Sequence, residues 1–169
     1  WIMVLIGIVA NKKCFETIKT EIAKKDNQIN VLHINTKSLE NMKNIKFDTI
    51  IIQNDLEKCE ELKEQLKKMC KEAKYVIINT DLNENYEEFE VQNLITCGMN
   101  QNAIVTVSSN SEDDILIYWQ KSIDNKYGNK IEIEERRIKK GEDNILKIDE
   151  ILILYTILRL YNYPIIEKI

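Results

Sequence analysis

Short unbroken apolar runs recur through the first half of the chain: MVLIGIVA over 3–10, INVLHI over 29–34, FDTIII over 47–52 and YVIIN over 75–79. Runs of this length without alternation predict strands buried on both faces, the pattern of a parallel sheet. Helical patterns lie between them. Over 12–25, Cys14, Phe15, Ile18 and Ile22 fall on one side, with Lys and Glu opposite. Over 56–72, Cys59, Leu62, Leu66, Met69 and Cys70 form an inward stripe, with Asp55 ahead of it as N-cap. The polar stretch 36–46 has room for a short helix. Strands alternating with helices over 80 residues predict an open parallel α/β sheet of Rossmann-like plan.

The pattern changes at Asp81. DLNENYEEFEVQN carries five carboxylates in 13 residues and no basic group, which predicts a solvated acidic loop over 81–93. Shorter alternating runs follow: LITCG, AIVTVSS, DILIYWQK and KIEIEERRIKK. With turn signals at 98–101, 108–113, 124–128 and Gly141, they predict an antiparallel meander wet on one face, with Ile131, Ile133 and Ile138 pointing the same way. A final helix is predicted over 144–162, stopped by Pro164. The expected organisation is one α/β domain over 1–169. It comprises a parallel part (1–80), the acidic loop (81–93), and a meander with its C-terminal helix (94–169).

Composition adds exclusions rather than chemistry. The 169 residues are 44% hydrophobic and 31% charged, with one Pro and four Gly, which excludes a collagen-like or linker-dominated chain. Net charge is −4, and the first 80 residues hold 14 basic and 11 acidic side chains. A net acidic chain argues against nucleic acid as partner. No apolar run reaches the length of a membrane helix. The opening apolar run lacks the basic flank of a signal peptide. Cys14, Cys59, Cys70 and Cys97 form no C-x-x-C pair and the sole histidine is His33, so buried reduced thiols are expected and no metal site. These features together give a cytoplasmic expectation.

Segment order then resembles the central, nucleotide-binding domain of the Mur ligases and folylpolyglutamate synthetases. AKYVIINTD (73–81) is similar to that family's strand ending in N-x-D-D, and LITCGMNQNAIVTVSS (94–109) to its next strand pair. DNILKIDEILILYTILRLYNYP (143–164) resembles the helix that closes the domain, and MVLIGIV the strand leading into its phosphate loop. The loop itself is degenerate. Gly7-Ile8-Val9-Ala10-Asn11-Lys12-Lys13-Cys14-Phe15 keeps one glycine, and no Ser or Thr follows a lysine. Such loops work by backbone N–H groups around the phosphates, a lysine on the terminal ones and a hydroxyl on Mg²⁺. The family's D-H motif is replaced by Gln53-Asn54-Asp55, Leu82 stands where the second acid of N-x-D-D belongs, and the family's third domain is not expected within these residues. The resemblance therefore implies a pseudo-enzyme: a Mur-ligase-like scaffold without the ligase reaction, acting in protein interaction, with no cofactor and no catalytic residues.

The alternative is a binder of a nucleotide or small acidic metabolite at the carboxyl ends of the parallel strands, where open α/β sheets take ligands. Asn11, Lys12, Lys13, Asn54, Asn79 and Asp81 are its candidate ligand-binding residues, with Asn35, Thr36 and Gln53 beside them. His33 reads as a satisfied strand histidine and Glu112-Asp113-Asp114 as a solvated turn. Arg136, Arg137, Lys139 and Lys140 read as partners of Glu134 and Glu135. The last helix carries more large apolar side chains than one buried stripe requires. An interface at Tyr161, Tyr163, Ile165 and Ile166 is therefore expected, for a homodimer or another protein.

Overall fold

The computed structural model describes residues 3–58, 60–141, 146–165 and 168. The chain is α/β and divides into two compact units, Trp1–Ile95 and Thr96–Ile169.

In the first unit, strands β1 (Leu5–Val9), β2 (Asn30–His33), β3 (Thr49–Ile52) and β4 (Tyr75–Asn79) lie in the order β4-β3-β1-β2. Every pairing among them is parallel, with Gly7 beside both Leu32 and Ile50, and Ile50 beside Val76. All residues of β3 and β4 are buried, which explains why their sequence shows no alternation. Helix α1 (Lys12–Lys25) carries the chain from β1 outward to β2, and α3 (Glu60–Glu72) carries it from β3 to β4 on the other side. Right-handed crossovers in opposite directions put these helices on opposite faces of the sheet. The α3 face is a continuous core of Val9, Ile34, Phe47, Ile50, Ile52, Val76 and Ile78 against Leu62, Leu66, Met69 and Cys70. The expected short helix in the second crossover is α2 (Leu39–Met42). The helix expected over 56–72 opens instead with a separate 3-10 turn, Leu56–Lys58; Cys59 lies outside the described residues.

All five carboxylates of the acidic segment 81–93 are exposed, as a solvated loop requires, but the segment is anchored at two residues. Tyr86–Glu88 is a 3-10 turn, Phe89 is buried in the α3 core, and Asn83 is 4% exposed. Two of its five carboxylates meet the lysines of α3. Glu88 is 3.1 Å from Lys63 and 2.9 Å from Lys67, and Glu90 is 3.6 Å from Lys71. The run stays solvent-facing and also forms a strap over α3, because the helix beside it presents the opposite charge at successive turns.

In the second unit, the end of β5 (Leu94–Cys97) runs beside β6 (Val105–Asn110), followed by β7 (Asp114–Trp119) and β10 (Glu134–Lys139) in the order β10-β7-β6-β5. Two expectations are corrected here. The β5–β6 pair, Cys97 with Val105, is parallel, so the meander begins only at the β6–β7 hairpin. The turn 98–104 is tied down by Gln120, whose amide donates to the carbonyls of Gln101 and Ala103 at 2.7 and 2.8 Å. The run KIEIEERRIKK is also not one strand. It divides into β9 (Lys130–Ile131), which pairs with β8 (Ile123–Asp124), and β10. Ile131 and Ile138 have opposite parity, and a strand of period two cannot bury both. The break at 132–133 resolves the conflict, burying both at 2% and leaving Ile133 57% exposed.

Helix α4 (Ile148–Leu160) is apolar nearly all round, and all of Glu150–Leu158 is buried. Glu150 bonds back to the Lys147 N–H at 3.0 Å, closing its first turn. Its Tyr155 donates to Glu134 Oε1 on β10 at 2.6 Å and its ring lies 6.3 Å from that of Trp119. Arg159 reaches the same Glu134 oxygen at 2.9 Å. Burial, aided by the Glu134 carboxylate, pushes the Tyr155 phenol above its usual range.

Candidate functional site

Strand order reverses between β1 and β3, so the carboxyl ends of those strands form the switch point at which open α/β sheets bind ligands. Only Ala10 and Asn11 separate β1 from α1. Asn11 is the N-cap of α1, and its side-chain oxygen accepts the Cys14 N–H at 3.0 Å. A capping side chain thus occupies the helix-end donor that a bound anion would use. Lys12 and Lys13 are exposed on the first turn. His33, at the end of β2, has Nε2 2.7 Å from the Ala10 carbonyl and its ring stacked on Phe15 at 4.4 Å. A carbonyl only accepts, so Nε2 carries the hydrogen of this bond.

At the ends of β3 and β4 the polar side chains are bonded to one another. The Asn79 amide donates to Gln53 Oε1 at 3.1 Å, and its oxygen accepts the Asp81 N–H at 2.9 Å. Asn83 joins them. It accepts the Leu56 N–H at 3.1 Å and donates to the carbonyls of Asn54 and Asn79 at 2.9 and 3.0 Å. Gln53, Asn79 and Asn83 are all at most 5% exposed. Of the candidate ligand residues, Asn54, Asn79 and Asp81 are therefore brought together, around Asn83 rather than around an open space. Asn11, Lys12 and Lys13 stand at the end of β1. Asn83 had no signal in the sequence, because an asparagine in a polar loop is ordinary and its partners are backbone groups 27 and 29 residues away.

No protein-family model and no curated protein matches the chain.

One residue of the interface expected after α4, Tyr161, needs correction. Tyr161 is 2% exposed, its N–H bonded to the Ile157 carbonyl and its ring 5.4 Å from Lys126 Nζ, so it presents no surface to a partner. The apolar surplus of α4 that prompted the expectation is buried within the chain. Tyr163 and Ile165 are half-buried, and Ile166 lies outside the described residues. Trp119 is fully buried. Large apolar side chains are exposed elsewhere in the second unit, at Met99 (51%), Tyr127 (61%) and Ile133 (57%).

Among the described residues no three His, Cys, Asp or Glu side chains gather as a metal site, and no helix is long and apolar enough to cross a membrane. The turn Ser111–Asp114 is internally bonded, Ser111 Oγ to Asp114 at 3.0 Å, and Asp114 faces Arg137 at 3.5 Å. Arg136 lies 3.4 Å from Glu134. Cys14, Cys70 and Cys97 are buried, and burial pushes the Cys70 thiol up to about 12, so it stays protonated and inert.

Proposed function

We propose that the chain is a non-catalytic α/β module, similar in plan to the central domain of the Mur ligases, that serves in protein interaction or as a scaffold. The β1–α1 connection carries this reading. A phosphate loop surrounds its ligand with several successive backbone N–H groups. Two residues, one of them committed as a helix cap, supply too few. The bonded amide cluster at Gln53, Asn79 and Asn83 favours the same reading over a binder at the carboxyl ends. Exposed Met99, Tyr127 and Ile133 supply the kind of side chain that interfaces bury.

Calorimetry with Mg-ATP tests the non-catalytic part. The expected result is no saturable heat up to about 1 mM nucleotide, and a Kd in the low micromolar range overturns it. A melting-temperature panel of nucleotides and small acidic metabolites tests the binder, which requires a shift of several degrees. For interaction, association of two copies is tested by light scattering at micromolar concentration. A mass above 19.9 kDa that returns to the monomer value in a Tyr127→Glu, Ile133→Glu variant supports it. A monomer at every concentration directs the search to a different protein.

A further inference from the structure

A cleft of about 270 Å³ lies along α3, on the side of the helix that faces the connection between α2 and β3. Gln65, Lys68, Met69 and Glu72 line one wall and Lys43 and Ile45 the other. The spacing of the α3 residues, 65, 68, 69 and 72, is one stripe of a helix about 10 Å long. Ile45 precedes β3 and Glu72 precedes β4, so the cleft belongs to the amino ends of these strands, opposite the amide cluster around Asn83.

Three features set this stripe apart. Its base is apolar: Met69 is part of the α3 core, and Ile45 packs against that core while half-buried. Its lysine is uncommitted. Lys63, Lys67 and Lys71 each face a carboxylate within 3.6 Å, whereas Lys68 faces none among the described residues. Lys43, across the cleft, holds only Glu40, on its own exposed turn. Lastly, Gln65 lines the cleft, and its side-chain oxygen, buried behind that surface, has no hydrogen-bond donor. An unmet buried acceptor is a cost that a donor relieves. Rotation of the terminal amide turns that acceptor, or the amide N–H₂, toward an occupant.

We propose that this cleft binds a small amphipathic anion: a flat apolar body on Ile45 and Met69, with one carboxylate, sulfonate or phosphate held by Lys68 and Lys43. The volume lies just below the range of drug-sized pockets, about 300–1,000 Å³, so the ligand is a compact one. The apolar base seats the body of the ligand and the two ammonium groups select its charge. Glu72 at the far end disfavours a second negative group.

Titration of the full chain with 1-naphthoate, followed by amide chemical shifts, tests this. The neutral 1-naphthalenemethanol is the control. Saturable shifts are expected at Lys43, Ile45, Gln65, Lys68, Met69 and Glu72, with the neutral probe binding more weakly. Lys68→Glu, at an exposed position, leaves the melting temperature unchanged and weakens naphthoate by about tenfold or more, without weakening the neutral probe. Lys43→Glu gives a second, independent reading of the same loss. No saturable shift at these amides up to about 5 mM naphthoate overturns the proposal. So do shifts centred elsewhere, or an affinity unchanged by both lysine substitutions.

Discussion

A carbon added at Gly7 would lie 2.5 Å from Ile34 Cδ1 and 2.9 Å from Phe47 Cε1. In the sequence this glycine stands as the remnant of a phosphate loop, but in the fold it sits mid-strand, where β1 meets the side chains covering the sheet. Ile34 is fully buried and Phe47 is 4% exposed, so neither moves without displacing others. Gly7→Ala is expected to destabilise the chain by about 1–3 kcal/mol in urea unfolding. The second residue of consequence is Asn83. Asn83→Ala strands the Leu56 N–H and the carbonyls of Asn54 and Asn79, at a cost of about 1–3 kcal/mol in the same assay. Asn83→Asp keeps the acceptor for Leu56 but turns an oxygen toward the two carbonyls, so it is expected to be no better than alanine. Side-chain type announced neither role. A glycine is silent about what lies above it, and an asparagine about which backbone it meets.

Among the elements, the strap from Tyr86 to Glu90 has a hold that depends on solution conditions. Lys63 bonds Glu57 and holds that carboxyl below the usual glutamate range, and Lys67 with Lys63 does the same for Glu88. A carboxyl lowered by folding stabilises the fold above its ordinary value of 4.5, and the contribution fades as pH falls through the lowered one. Glu88→Gln is therefore expected to melt below the wild type at about pH 7 and together with it at about pH 2.5, with the gap at neutral pH narrowing in about 1 M salt. A gap that persists unchanged at the acid end contradicts this origin. The elements most legible in the sequence were those fixed by local pattern: α1 over Lys12–Lys25 and the four apolar strands. The strap was not, because its partners lie on α3, about 20 residues earlier. The parallel β5–β6 pair was not either, since a short turn between two strands ordinarily returns the chain antiparallel. The break before β10 was latent in the opposite parity of Ile131 and Ile138, a conflict that an interruption of the strand removes.

At the scale of the whole molecule, the boundary between the two units falls between Ile95 and Thr96, inside β5, two residues beyond the acidic segment. The function proposed for the chain rests on the short path from β1 into α1. That path has a consequence for how the protein can change. Point substitution varies side chains but keeps the number of backbone amides between Val9 and Lys12 at two. A mutational library confined to exchanges at Ala10–Lys13 is thus expected to yield no Mg-ATP binder, whatever glycines, serines or threonines it introduces. A library that inserts four to six residues there has the backbone to surround a phosphate. Recovery of a micromolar binder from the first library, by selection on immobilised nucleotide, would show this wrong. On the non-catalytic reading proposed above, a phosphate-binding path would need an insertion between β1 and α1, which point substitution alone does not supply.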